Sequence, residues 1–173
     1  MMVIRTCITF ALLVCCVFAA NPTDSERLAT SFTTWKMVKE SCGGNYSYKV
    51  IRSSFTGYRD ETVVVVKANK VAERRFDVAD DPRPSMPIVL KNKWVETGEG
   101  IGKHEGAVEP KTLDEMYTIA KKIVEAEIPS KHVLSLALDK QGLLQHCFTR
   151  DTRIADGGPI KGVTTIYLTL GKK

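Results

Sequence analysis

The chain has 173 residues, of which 26% are charged and 43% hydrophobic, and its formal net charge is +5 at pH 7. These values exclude a disordered chain and allow one domain with a substantial core. Basic and acidic residues are interspersed rather than clustered. This pattern argues against a dedicated nucleic-acid-binding face.

The amino-terminal segment has the pattern of a secretory signal peptide. Arg5 is its only charged residue, an apolar run extends from Ile8 to Phe18, and the small residues Ala19 and Ala20 close it. The run is shorter than the ~20 apolar residues that a membrane-spanning helix needs. We therefore predict export with loss of residues 1–20, an extracellular location and no membrane contact after cleavage. An uncleaved anchor is the alternative.

Export would leave a single pair of cysteines. Cys7, Cys15 and Cys16 lie in the signal segment, so two of the five cysteines remain, Cys42 and Cys147. An even pair in an oxidising compartment predicts one disulfide bond, which would tie the first helix to a strand of the second half. Two buried free thiols are the alternative.

A helix is predicted from Asp24 to Lys39, with Asp24 or Ser25 as its cap. Its apolar residues recur at steps of three and four and so share one face. These residues are Leu28, Phe32, Trp35, Val38 and Cys42. The polar face has few basic residues, which favours a helix that covers a sheet over one that lies on a membrane surface.

The junction after this helix carries two local signals. Gly43-Gly44 can adopt the left-handed backbone that closes a helix. Asn45 begins an N-x-S sequon, so we predict an exposed glycosylation site there if the chain is exported.

Residues 46–76 predict a three-stranded meander. Apolar residues alternate from Tyr46 to Val50, as in a half-buried strand. The run Thr62–Val66 is β-branched throughout, which predicts a central strand with both faces at least partly covered.

Residues 78–106 are predicted to form a loop region rich in proline and glycine. Three prolines between Asp80 and Pro87 exclude a helix and a central strand there. Such a loop can bind a partner, or it can be a tolerated insertion. The run Gly98–Lys103 resembles a phosphate-binding loop, but Lys103 stands where the third glycine is required, so a flexible loop is expected.

The second half repeats the plan of the first. Thr112 and Glu115 form a capping-box pattern that opens a helix, and Pro129 stops it. Three further strands are predicted, over 133–138, 143–149 and 163–170. We predict one α+β domain over residues 21–173, with two helices on one face of an antiparallel sheet of about six strands, in the order α-βββ-α-βββ.

This order of elements resembles an uncharacterised secreted α+β domain family. The residues that carry the resemblance are Tyr46, Tyr48, Thr112–Met116 and Asp139–Leu143, and it covers most of residues 28–170. The family is seen in bacterial lipoproteins and in marine-invertebrate exported proteins, some of them similar to mollusc shell-matrix proteins. The resemblance implies no catalytic residues.

No set of residues predicts catalysis, a metal site or a cofactor. His146 and Cys147 are adjacent, but neighbours in a strand face opposite sides and cannot act as a nucleophile–base pair. His104 or His132 could in principle approach Cys147 as its base. The three histidines are scattered along the chain and form no recognisable metal motif. We predict a protein that is not an enzyme.

Two functional classes follow from these observations. The first is a secreted structural or matrix component that contacts an extracellular matrix protein or polysaccharide. The second is a secreted binding or inhibitory module that uses the proline-rich loop or the gap between helix and sheet. A cystatin-like inhibitor would need a Q-x-V-x-G motif, which neither Gln141 nor Gln145 begins. The oligomeric state is left open.

Overall fold

The computed structural model describes residues 21–54, 58–78, 93–154 and 160–171. The predicted signal peptide, residues 1–20, and the proline-rich run Asp80–Pro87 lie outside these ranges. In chain order the elements are α1 (Asp24–Ser41), β1 (Tyr46–Ser53), β2 (Arg59–Lys67), β3 (Lys70–Val78), β4 (Lys93–Thr97), a 3₁₀ turn (Gly98–Gly100), α2 (Leu113–Glu125), β5 (His132–Leu138), β6 (Leu144–Asp151), β7 (Lys161–Val163) and β8 (Tyr167–Leu170). Within the described ranges, neither helix combines the length and the apolar character needed to cross a bilayer.

The strands form two antiparallel sheets, so the α+β prediction is confirmed but the single sheet is replaced by two. One sheet has five strands in the order β4-β3-β2-β1-β8, and the other has three in the order β5-β6-β7. The last predicted strand, 163–170, is divided between them. Val163 pairs with Cys147 in the small sheet, whereas Tyr167 pairs with Lys49 in the large one. The chain therefore crosses from one sheet to the other at residues 164–166.

Close packing of backbone on backbone fixes the place of this crossing. Gly162 has a φ of 135°, and a Cβ there would lie 2.4 Å from the Cys147 carbonyl oxygen and 2.6 Å from Ile123 Cδ1. Only glycine fits such a position. The Ile166 N–H donates to the Gln145 carbonyl oxygen at 2.9 Å, which holds the chain to β6 before β8 begins.

The first helix begins at Asp24, as predicted, but its cap lies one residue earlier than expected. Thr23 is the cap, and with Glu26 it forms a capping box, where the prediction was Asp24 or Ser25. The predicted apolar face is confirmed, because Leu28, Trp35 and Cys42 are buried. The helix ends at Ser41, and Gly43 and Gly44 turn the chain after it with φ angles of 61° and 68°.

The predicted central strand is confirmed. Strand β2 lies in the middle of the five-stranded sheet, with β1 on one side and β3 on the other. Val64 is fully buried and Val66 is 1% exposed, while Val63 and Val65 on the other face are partly buried. Trp35 of α1 meets this core through an edge contact with Tyr46, with ring centroids 5.0 Å apart.

The two helices run antiparallel over the buried face. Lys39 near the end of α1 pairs with Asp114 at the start of α2 at 2.9 Å. Further along, the Ser31 and Tyr117 hydroxyls are 2.7 Å apart in the buried interface. The capping box predicted for α2 is confirmed, since Thr112 and Glu115 satisfy each other's backbone N–H groups.

Part of the region predicted as a loop, residues 78–106, is a strand. Lys93–Thr97 forms β4, which pairs with β3 from Glu73 to Asp77. Inside β4, Trp94 and Glu96 alternate with exposed residues, and this period of two is that of a strand with one covered face.

Candidate functional site

The expected disulfide is not formed: among the described residues both cysteines are buried free thiols. The Cys42 Sγ lies 3.4 Å from the Lys39 carbonyl oxygen at the end of α1. The Cys147 Sγ lies 3.7 Å from the Ala120 carbonyl oxygen on α2. The structure therefore agrees with the alternative given in the sequence analysis, two buried free thiols.

The two thiols lie towards opposite ends of α1, which is the physical reason for this correction. Cys147 is close enough to Asp24, the first residue of α1, for that carboxylate to raise its pKa. Cys42 follows the last residue of the same 18-residue helix, which is about 27 Å long. A disulfide needs Cα atoms within about 7 Å of each other. The apolar face of α1 was correctly predicted, but the prediction did not consider where along that face each cysteine lies.

The prediction that His146 and Cys147 face opposite sides of a strand is confirmed. The His146 Nε2 is 2.9 Å from the Ser135 hydroxyl, while the Cys147 Sγ faces α2. Burial, helped by the Asp24 carboxylate, raises the pKa of the Cys147 thiol to about 11. Burial also lowers the pKa of His146. The thiol is therefore protonated at neutral pH, and among the described residues no histidine forms a hydrogen bond with it.

Asn45 is half-buried rather than exposed, because its side chain holds a hairpin in place. Its Oδ1 accepts from the Ala68 N–H at 3.1 Å, in the turn between β2 and β3. The Asn69 N–H of the same turn donates to the Gly44 carbonyl oxygen at 3.1 Å. The Asn45 Nδ2, where a glycan would attach, has no hydrogen-bond partner within the described ranges.

A buried ion pair that the sequence analysis missed lies between β3 and β4. Arg74 and Glu96 are opposite each other in the two strands and are 2% and 3% exposed. The Arg74 Nε and Nη2 donate to the two carboxylate oxygens at 2.7 and 3.0 Å. Arg74 also donates to the carbonyl oxygens of His104 and Val108.

The same carboxylate fixes the segment after β4. Glu96 accepts from the backbone N–H groups of Gly102 and His104 at 2.8 and 2.6 Å, and the His104 Nδ1 is 2.8 Å away. The His104 ring stacks on Trp94 at 4.5 Å. Hydrogen bonds from Arg74 and these N–H groups hold the pKa of Glu96 far below its usual range. The segment predicted to be a flexible loop is thus tied down.

A second set of contacts holds residues 106–113 against the large sheet. Arg52 of β1 binds the fully buried Asp60 through Nε and Nη2, and its Nη2 also contacts the Gly106 carbonyl oxygen. The Tyr48 hydroxyl donates to the Lys111 carbonyl oxygen at 2.8 Å and accepts from its N–H at 3.1 Å. The sheet therefore fixes the chain that leads into α2.

This arrangement encloses a cleft where the two sheets diverge. Strand β8 pairs with β1 only from Tyr46 to Lys49, so it does not cover the rest of β1. The gap between β1, α2 and β7 has a volume of about 440 Å³. Its apolar walls include Val50, Met116, Ile119 and Ile166, and its polar lining includes Arg52, Glu109 and Lys111. It is a gap between helix and sheet of the kind that the sequence analysis considered for binding.

A second concave region lies between the helices. Leu28, Phe32 and Tyr117 line this groove of about 340 Å³, with Lys121 and Glu125 on its rim. Lys121 and Glu125 are an exposed pair 3.8 Å apart, so the rim has no net charge from them. The cleft beside β1 is larger than this groove, and the fully buried Asp60 orients the Arg52 guanidinium in its lining, so it is the candidate functional site.

Comparison with known proteins adds no relative: no protein-family model, curated protein or solved structure matches the chain. The resemblance to the secreted α+β family therefore stays a prediction.

Proposed function

We propose that the chain is a secreted, non-enzymatic extracellular protein that acts by binding, and that the cleft between β1, α2 and β7 is its contact surface. The observation that carries this proposal is the construction of the cleft. Its apolar walls offer surface for burial, the buried Asp60 orients the Arg52 guanidinium, and Tyr48 fixes the backbone of Lys111. Binding sites are typically concave and mostly apolar, with a few placed polar groups.

The state of the cysteine and histidine side chains supports a role without catalysis. A thiol with a pKa of about 11 is a weak nucleophile at neutral pH. His146 lies on the other face of β6, against Ser135. The protein would then contribute contacts rather than chemistry.

The extracellular setting rests on the sequence. The signal-peptide pattern before residue 21 and the resemblance to shell-matrix-like exported proteins favour a structural or matrix component. In that setting the cleft would hold the protein on a matrix protein or a polysaccharide. Amino-terminal sequencing of the exported protein should begin at residue 20 or 21, and a protein that begins at Met1 would contradict export.

A retention assay with two neighbouring substitutions tests the contact surface. Ile119 lines the cleft, whereas the adjacent Thr118 lines the groove between the helices. Exported parent, Ile119→Trp and Thr118→Trp proteins are incubated with insoluble extracellular material from the source tissue. We expect Ile119→Trp to be released while the parent and Thr118→Trp are retained. Equal retention of all three would overturn the cleft as the contact surface.

A further inference from the structure

We infer that the cleft binds an extended acidic peptide segment, which adds as a strand to the unpaired half of β1. This inference rests on the proposed function and names the partner of the same site. It is carried by three features of the described residues: an open strand edge, apolar walls beside it, and cations held next to both.

The open edge follows from the hydrogen-bond ladder of β1. The Gly171 N–H donates to the Asn45 carbonyl oxygen at 2.9 Å, so odd-numbered residues of β1 direct their backbone groups toward β8. The even-numbered residues face β2, as the bond from the Ser54 N–H to the Tyr58 carbonyl oxygen shows. Strand β8 ends its pairing at Lys49. The backbone groups of Ile51 and Ser53 therefore face the side where no strand within the described ranges pairs with them.

An open edge of this kind is a template for another strand. Peptides that bind by strand addition gain affinity from main-chain hydrogen bonds and specificity from the pockets that receive alternate side chains. Beside this edge, Val50, Met116 and Ile119 line the cleft. Every second side chain of an added strand would face these apolar walls, while the others would face solvent.

The two cations of the cleft are paired with Asp60 and Glu109, but donors that these partners do not occupy favour an acidic residue in that segment. Arg52 is oriented by Asp60, which occupies its Nε and Nη2, and its Nη1 has no partner among the described residues. Lys111 is fixed through its backbone by Tyr48, and its ammonium group pairs with the exposed Glu109. A peptide carboxylate can accept from the Arg52 guanidinium and exchange with Glu109 at Lys111. Backbone pairing distinguishes a peptide from a polysaccharide, which has no strand to add.

The test uses the complete exported chain and a defined probe. The probe is the pentapeptide Val-Thr-Asp-Thr-Val, blocked at both ends, whose valines and aspartate share the face toward the cleft. In its lysine counterpart, lysine replaces the aspartate. Isothermal titration calorimetry measures both. We expect the aspartate peptide to bind at least tenfold more tightly than the lysine peptide. Two further aspartate peptides each carry one methyl group on a backbone nitrogen, either that of the aspartate or that of the next residue. Because alternate residues direct their N–H groups toward β1, we expect only one of these two methylated peptides to lose binding.

Matched variants locate the binding. Ser53→Pro removes the N–H that faces the cleft and leaves the pairing with β2, whereas Ser53→Ala keeps that N–H. Lys111→Glu reverses a charge in the cleft, and Lys140→Glu makes the same change in the exposed turn after β5. We expect Ser53→Pro and Lys111→Glu each to weaken binding at least tenfold, and the two controls to bind as the parent does. Melting curves confirm that each variant is folded.

The possible failures are distinguishable from one another. If the parent binds neither peptide, or Ser53→Pro binds as the parent does, or both methylated peptides bind, strand addition is wrong. An oligosaccharide that binds in the cleft equally well in parent and Ser53→Pro would likewise overturn it in favour of a polysaccharide. In either case, release of Ile119→Trp in the retention assay would leave the proposed function standing. Retention of Ile119→Trp would instead overturn that function.

Discussion

Replacement of Glu96 by glutamine removes the charge at the centre of the network that ties the segment after β4 to the sheet. Both carboxylate oxygens accept from at least two N–H groups: Oε1 from Arg74 and His104, and Oε2 from Arg74 and Gly102. A glutamine has only one acceptor oxygen. Whichever way its amide is turned, its NH₂ group would face N–H donors.

The cost follows from the burial of the pair. Arg74 would keep its charge with its side chain 3% exposed and would lose its counter-charge. Breaking a buried ion pair from one side costs ~3–5 kcal/mol in the free energy of unfolding. For a domain of this size, 1 kcal/mol corresponds to about 2–4 °C in Tm. We therefore expect Glu96→Gln to lower Tm by about 10 °C, measured by circular dichroism.

Asp77→Asn is the matched control. Asp77 lies on the same pair of strands and binds Lys93, but the two side chains are 50% and 73% exposed. Water screens such a pair, so its removal should leave Tm almost unchanged. Equal shifts for the two variants would refute the reasoning that burial makes the Glu96 network important.

The pKa of Glu96 adds a pH dependence to this comparison. Its folded-state pKa lies well below the unfolded value near 4.5. Its contribution to stability is therefore complete above that value and is lost as the pH falls through the acid range. The difference in Tm between parent and Glu96→Gln should be largest near neutral pH and should shrink below about pH 4. A difference that stays constant down to pH 2 would contradict this explanation.

Further variants test the core, the junction and the thiol. Val64→Asp places an unpaired charge in the core and should lower the free energy of unfolding by several kcal/mol. In the control Val63→Asp, the new carboxylate lies on the opposite face of β2 between Lys49 and Arg75, so the variant should melt near the parent. Gly44→Ala should destabilise more than Gly142→Ala, because its Cβ would lie 2.3 Å from a neighbouring side chain while that of Gly142 meets nothing within 4 Å; equal melting temperatures would contradict this. The Cys147 thiol, with a pKa of about 11, should resist alkylation at pH 8 until the chain is unfolded by denaturant, and rapid alkylation of the native protein would contradict its burial.

The sequence predicts what is determined by neighbours along the chain. The apolar stripe that includes Trp35, the valine run in β2 and the capping box at Thr112 depend on local spacing, and the structure confirms each. The same capping pattern was present at Thr23 and Glu26, so the true cap of α1 could have been found.

Features that depend on distant contacts could not be predicted in the same way. The division of the last strand depends on Gly162 packing against the backbone of β6, which no local pattern encodes. Arg74, Glu96 and His104 come from three separate segments, so their network has no sequence spacing of its own. The residue types of β4 give no local signal of this network, because the charged Glu96 is buried while the apolar Val95 beside it is 56% exposed. The number of cysteines predicted a disulfide, but it carries no information on the length of helix that separates the two thiols.

The most direct test of the central claim is photo-crosslinking from two adjacent positions on α2. A photoreactive amino acid replaces Ile119, which lines the cleft, or Thr118, which lines the groove between the helices. Each exported protein is irradiated in contact with the extracellular material that retains it, and crosslinked products are separated by size. Binding in the cleft predicts crosslinks from position 119 and none from position 118. Crosslinks from position 118 alone would contradict the cleft as the binding surface.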